Sequence, residues 1–206
     1  MSEAWKRWEG QSVKGEFPLL RFLGSSRHGA VFLTKGKAGM PELVAIKLIA
    51  ADQASAPSQL QRWKKIEHLS HPHLLRIFES GECQLEGTPL LYVVMENAEE
   101  SLAQVLPERA LTSEEVREML PPVLDALAYI HDQGMVHGRI RPSNILAIGN
   151  EVKVSTDSLR ASGELVASPD GWGGYDAPES SSRRLTSAVA IDPGIDVPMK
   201  GRAHFF

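Results

Sequence analysis

Between residues 97 and 100 the chain changes its period, and that change limits the folds open to it. Before this point, apolar and β-branched runs alternate with glycine-bearing turns. The runs are Leu19 to Leu23, Ala30 to Leu33, Leu43 to Ile49, Leu74 to Phe78 and Pro89 to Met95. Such runs predict strands, with turns at Gly24–Gly29, Lys35–Pro41 and Gly81–Gly87. One helix is expected over Ser58–Leu69, where Leu60, Trp63, Ile66 and Leu69 recur every three residues until Pro72 forbids continuation. Beyond the change, Thr112-Ser113-Glu114-Glu115 reads as a capping box. Val116, Met119, Leu120, Val123, Leu124, Leu127 and Ile130 then keep an apolar stripe that stops at Gly134. Pro121-Pro122 inside that stripe predicts a kink, or a helix that begins at Pro122. Two further strands are expected, Ile145 to Ile148 and Val152 to Ser155, about a Gly149-Asn150 turn. After Thr156 the periodicity fades.

Composition narrows the function classes. A net charge of -4 argues against a nucleic-acid partner, because neutralising phosphates needs a basic face. The lone Cys83 has no internal disulfide partner, which fits a reducing compartment. Residues 1–10 lack the apolar core of a secretion signal, and no apolar run approaches the ~20 residues of a membrane helix. A cytoplasmic location is the resulting expectation.

Three features carry chemistry, in order. Gly24-Ser25-Ser26-Arg27-His28-Gly29-Ala30-Val31 lies between two strands, where glycines let backbone approach an anion, although a plain hairpin explains them too. Val44-Ala45-Ile46-Lys47 puts a cation in an apolar strand, where it needs an anionic partner or must snorkel to water. His137-Gly138-Arg139-Ile140-Arg141-Pro142-Ser143-Asn144-Ile145-Leu146 follows the long helix and precedes a hairpin. His68, His71 and His73 lack companions at metal spacing and read as ordinary helix-end residues, and Arg183-Arg184 with Ser180 to Ser182 as a solvated loop.

Taken together these features resemble the protein kinase family: its glycine-rich loop, its V-A-I-K strand and its H-R-D-L-K-P-x-N loop. Tyr175-Asp176-Ala177-Pro178-Glu179 resembles the family's A-P-E, and Tyr92 to Glu96 its hinge approach. The resemblance runs from Phe17 to Glu179 and is nearest to bacterial Ser/Thr kinases. It implies an α+β, two-lobed fold, with an antiparallel-sheet N-lobe over 17–97 and an incomplete helical C-lobe over 98–189. An N-terminal extension (1–16) and an unrelated tail (190–206) flank them. It also implies ATP and Mg²⁺ as cofactors. Gly24, Ser26 (in place of a glycine) and Gly29 would line the phosphates. Val31, Ala45 and Leu146 would sandwich adenine, with Met95, Glu96 and Ala98 at the hinge. Lys47 would hold phosphates, and Asn144 and Asp157 the metal.

What the resemblance lacks shapes the functional expectation. The family's catalytic aspartate accepts the substrate hydroxyl's proton. Arg139 stands at that position, and a guanidinium accepts no proton. No carboxylate lies elsewhere between His137 and Asn144. The helix glutamate that partners the strand lysine is replaced by Arg62, and Glu67 lies more than a turn later. The D-F-G motif is degraded within Lys153 to Leu159, and either Asp157 or Thr156 takes its aspartate position. The first register is preferred because the second would bury a charge in an apolar spine. Leu185 to Val189 begins like the next family helix, but Pro193, Gly194 and Pro198 cannot continue it, so the helical lobe is expected to be truncated. The expectation is a pseudokinase-type nucleotide-binding or scaffolding module with a protein partner. The alternative is an atypical Ser/Thr kinase.

Overall fold

The structure is a computed structural model that describes residues 2–26, 29–51, 55–166 and 189–190. The chain divides into two compact units, Met1–Ser70 with Arg76–Asn97, and His71–Leu75 with Ala98–Phe206.

The first unit opens with α1 (Ser2–Lys6) and the short pair β1 (Ser12–Val13) and β2 (Phe17–Pro18). A five-stranded antiparallel sheet follows: β3 (Arg21–Ser25), β4 (Gly29–Lys35), β5 (Leu43–Ala50), β6 (Ile77–Leu85) and β7 (Thr88–Glu96), in spatial order β3-β4-β5-β7-β6. Helix α2 (Ala56–Ile66) intervenes between β5 and β6 and buries Ala56, Trp63 and Ile66. Alternation sorts the strand residues onto two faces. Ala30, Phe32, Val44, Ile46, Leu48, Leu90, Tyr92 and Val94 occupy one face and form a core with Trp8, Val13, Phe17 and Leu19. Each large side chain buried there contributes about 1.5–3 kcal/mol. Residues 1–16 therefore supply two core side chains, Trp8 and Val13. Glu86 fixes this segment by accepting from Trp8 Nε1 at 3.2 Å and from Gln11 Nε2 at 2.9 Å.

The expected Gly81–Gly87 turn is wrong: β6 runs on to Leu85 and the turn is Glu86-Gly87, both at positive φ (50° and 76°). Gly81 is inside the strand because the Tyr92 ring lies against it, 2.9 Å from where a Cβ would stand. The β3–β4 turn is likewise tighter than Gly24–Gly29, since Gly24 pairs with Val31 inside the hairpin.

The second unit contains β8 (Glu100–Ser101), α3 (Leu102–Val105), α4 (Ser113–Asp132), β9 (Met135–Val136), a 3₁₀ turn over Pro142–Asn144, β10 (Ile145–Ile148) and β11 (Glu151–Val154). Then come β12 (Arg160–Ala161), β13 (Leu165–Val166) and β14 (Val189–Ala190). The α4 capping box is present, with Thr112 Oγ1 accepting from Glu115 N at 3.2 Å and Glu115 Oε2 accepting from Thr112 N at 2.7 Å. The helix passes unbroken through Pro121 and Pro122, against the expected kink or late start. The two missing donors would have served the carbonyls of Arg117 and Glu118. Both residues are exposed, so water can serve those carbonyls, while Met119, Val123, Ala126, Leu127 and Ile130 hold the helix by burial. Leu124, expected on the buried stripe, is 47% exposed.

The segment His71–Leu75 is anchored within this second unit, which is why the expected strand at Leu74 begins only at Ile77. Val154 N donates to His73 O, and Leu75 N donates to Val154 O, both at 2.9 Å. The His71 ring stacks on Tyr129 at 4.9 Å, and its Nε2 lies 3.2 Å from Asp125 Oδ2. Val189, expected to end the start of a helix, pairs instead as a strand with Val166. Tyr175–Glu179, Ser180–Arg184, Leu185–Ala188 and residues 191–206 lie outside the described residues.

Candidate nucleotide site and catalytic-loop region

In the first unit the pairing register gathers the expected nucleotide-contacting side chains on the sheet face opposite the core. Val31 pairs with Lys47 and Lys47 with Val93, while Ala45 pairs with Met95. Directly paired residues share a face, and so do residues two apart. Val31, Ala45, Lys47 and Met95 are thus neighbours on one surface. Ala45 and Met95 are buried, and Val31 and Lys47 half-buried.

The two loop glycines have different reasons to be glycine. A Cβ on Gly29 would stand 2.4 Å from Leu48 O and 2.7 Å from Ile49 Cγ2, so the sheet itself demands that residue. A Cβ on Gly24 meets nothing within 4 Å among the described residues, and Gly24 is not at positive φ. Gly24 stands at a register irregularity of the hairpin, between Phe22 and Gly24. Ser26 N donates to Gly29 O at 2.8 Å, which closes the hairpin and engages that amide within the protein.

At the hinge end, Arg76 and Glu96 clasp each other: Glu96 N donates to Arg76 O at 3.0 Å and Arg76 N to Glu96 Oε2 at 2.9 Å. Arg62 donates from Nη2 to Gln59 Oε1 at 2.8 Å on its own helix. Glu67 is turned toward β6, accepting from Ser80 Oγ at 2.5 Å and pairing with Lys64 at 2.9 Å. Ser80 pairs with Val93, the strand neighbour of Lys47. Two strand spacings, roughly 9–10 Å, therefore separate the backbones of Ser80 and Lys47.

In the second unit the loop from His137 to Asn144 is fixed at several points. His137 is 1% exposed; its Nδ1 accepts from Arg139 N at 3.1 Å, so the ring proton sits on Nε2 and is donated to Ser155 O at 3.0 Å. Asn144 Nδ2 donates to Arg139 O at 2.7 Å, and Ser155 N donates to Asn144 O at 2.9 Å. Gly138 enters the loop at φ 65°, a left-handed conformation natural to glycine. These bonds hold the backbone of Arg139 from both sides while its side chain is exposed. From sequence, His137 was only the first position of a motif; its role as a buried clamp between loop and β11 becomes visible with Ser155.

Leu146 lies on β10 opposite Ser101, and Glu99 N donates to Ala147 O at 3.0 Å. Ala98 is thereby placed one residue from the strand that carries Leu146. Thr156 is 1% exposed and donates from Oγ1 to Leu75 O at 2.7 Å, which commits its side chain to the interior. Asp157 is half-buried in the following turn, and Leu159 supplies the buried apolar side chain (1% exposed). The burial cost that counted against the second D-F-G register therefore does not arise. In either register Asp157 follows two residues beyond the Ser155–Asn144 bond. The Asn144 amide oxygen and the Asp157 carboxylate would be the oxygens that hold Mg²⁺, to which both suit by hardness. Among the described residues no three His, Cys, Asp or Glu side chains form a metal cluster.

The family model of the protein kinase domain matches residues 17–183. The chain belongs to the protein kinase family. It is 32% identical over 200 residues to CBL-interacting protein kinase 4 of Oryza sativa subsp. japonica, covering 89% of this chain and 43% of that protein. It is 33% identical over 109 residues to the probable serine/threonine-protein kinase PknB of Corynebacterium glutamicum, covering 50% of this chain and 17% of that one. This kinase-family chain thus spans less than half the length of these curated relatives. The crystal structure of the Mycobacterium tuberculosis PknI kinase domain shares its fold, at TM-score 0.68 and 23% identity over 91% of this chain and 71% of that one. The two-lobed α+β kinase fold, with an antiparallel-sheet first lobe, stands. No described helix is long and apolar enough to cross a membrane.

Proposed function

We propose that this kinase-family domain is a pseudokinase-type module that binds ATP and Mg²⁺ and is deficient in phosphoryl transfer. Arg139 carries this reading. It occupies the base position, its backbone is clamped by His137 and Asn144, and no carboxylate lies between those two residues. A positioned base contributes about 10²–10⁴-fold to such reactions, and a guanidinium supplies none of it. Val31, Ala45 and Leu146 hold the adenine, with Met95, Glu96 and Ala98 at its edge, and Lys47 holds the phosphates. Asn144 and Asp157 supply the oxygens for Mg²⁺, which when bound neutralises phosphate charge. Gly24 is compatible with the phosphate assignment, since a Cβ there meets nothing within 4 Å among the described residues. The output is proposed to be engagement of a protein partner in the cytoplasm.

A second reading is an atypical Ser/Thr kinase, favoured by relatives named as Ser/Thr kinases and by Lys47, Asn144 and Asp157. Thermal unfolding with ATP, in Mg²⁺ or in EDTA, tests the nucleotide claim. A ligand at a hundredfold excess over its Kd stabilises the fold by ~2.7 kcal/mol. A magnesium-dependent rise in Tm is expected, and a cooperative melt unmoved by ATP overturns nucleotide binding.

A further inference from the structure

The strand that leads into the first glycine loop pairs unevenly, and a side chain from the N-terminal segment is bonded to it at the uneven step. β3 is an edge strand of the five-stranded sheet. Phe22 pairs with Phe32, but the next pair is Gly24 with Val31, so β3 carries one residue more than β4 across this step. A regular ladder continued from Phe22–Phe32 would set Leu23 opposite Val31. The irregularity sets Gly24 there instead, and a Cβ on Gly24 would meet nothing within 4 Å among the described residues. Val31 shares its surface with Ala45, Lys47 and Met95. A glycine, not an isobutyl group, is therefore the residue paired at the border of that surface. Bulges commonly re-aim strands beside functional sites.

Glu9 Oε2 accepts from the amide of Phe22 at 2.9 Å. Glu9 is itself held on both sides. Its N donates to Lys6 O at 3.0 Å, Gly10 N donates to Leu19 O at 2.7 Å, and Leu19 N donates to Gln11 O at 2.8 Å. Its neighbour Trp8 is buried in the core. A carboxylate acceptor makes the Phe22 bond charge-assisted, and its surface position keeps its worth small. Such a bond can choose between registers one residue apart without holding the sheet together.

We infer that Glu9 is a positioning residue for nucleotide binding: by holding the Phe22 amide it keeps the hairpin in the register that sets Gly24 opposite Val31. This rests on the nucleotide reading above and adds to it a residue ahead of the matched family region.

The test is calorimetric titration of Mg²⁺–ATP into the full chain. Glu9→Ala is expected to weaken ATP about three- to tenfold, the worth of one net hydrogen bond. Glu9→Asp keeps the charge but falls a methylene short, and is expected to weaken ATP likewise; it also replaces Glu9→Ala should that variant melt early. Glu9→Gln keeps an acceptor oxygen at the same reach and is expected to restore wild-type affinity. In a Leu23→Ala background, where only a methyl could fall opposite Val31, Glu9→Ala is expected to lose its effect. Wild-type affinity in both Glu9→Ala and Glu9→Asp overturns the inference alone. So does wild-type affinity in Glu9→Asp with a loss in Glu9→Gln, because charge and not reach would then matter. A Glu9→Ala effect undiminished in the Leu23→Ala background overturns the register argument and the inference with it. A wild-type chain that takes up no ATP overturns the nucleotide reading itself, and this inference falls with it.

Discussion

Asn144 Nδ2 donates to the main-chain oxygen of Arg139 at 2.7 Å, so the expected metal-binding residue holds the residue at the base position in place. Asn144→Ala is expected to lose ~0.5–1.5 kcal/mol of stability, one net hydrogen bond, together with the Mg²⁺ dependence of any ATP-induced rise in Tm. Denaturant melts with and without Mg²⁺–ATP measure both. A magnesium response retained in Asn144→Ala would remove this residue from the proposed metal site.

The two glycines of the first hairpin predict opposite phenotypes. Gly29→Ala drives a Cβ to 2.4 Å from Leu48 O, a main-chain atom, and is expected to destabilise by about 1–3 kcal/mol. Gly24→Ala meets open space and is expected to melt like wild type while binding ATP more weakly. Unchanged ATP affinity in Gly24→Ala would show that position 24 faces no phosphate.

The fold was legible wherever local periodicity and tertiary packing agree. Leu43 to Ile49 reads as a strand and is one, because alternate residues of β5 face the core. The Pro121-Pro122 step misled, because a helix rule assumes that the carbonyls left bare have nowhere to go, and here they belong to exposed Arg117 and Glu118. Gly81 misled because a glycine needed for the Tyr92 ring looks, in sequence, like a glycine needed for a turn. Val31, Ala45, Lys47 and Met95, expected from the sequence to meet a nucleotide, are placed on one surface by the strand register. The His137–Ser155 clamp was not legible, since its partners lie 18 residues apart and no local pattern marks an imidazole as buried.

Trp8 precedes the matched family region yet is 3% exposed in the first unit's core. Trp8→Ala is expected to cost ~3–5 kcal/mol, as for other buried tryptophans. Denaturant unfolding of the full chain measures it, and a loss below about 1 kcal/mol would mean that the N-terminal segment is dispensable.

The α4 cap gives a pH prediction. Hydrogen bonds from Arg109, then the Thr112 amide, hold the Glu115 carboxyl down at about 2, against an ordinary 4.5. A depressed carboxylate stabilises the fold above its unfolded pKa, and that contribution is lost as pH falls from 4.5 toward about 2. The group is solvent-exposed, so salt screens the effect. Arg109→Ala is expected to move the Glu115 titration upward, toward the ordinary value, as read by carboxyl NMR. A midpoint that stays put would assign the depression to the Thr112 amide alone.

A kinase frame with Arg139 at the base position is proposed to hold ATP without transferring its phosphate. The most direct test is γ-phosphate transfer from saturating Mg²⁺–ATP to a Ser/Thr peptide pool, wild type beside Lys47→Met. Wild-type transfer is expected to be indistinguishable from that of Lys47→Met. Transfer present in wild type and abolished in Lys47→Met would contradict it, and would make this chain a working kinase.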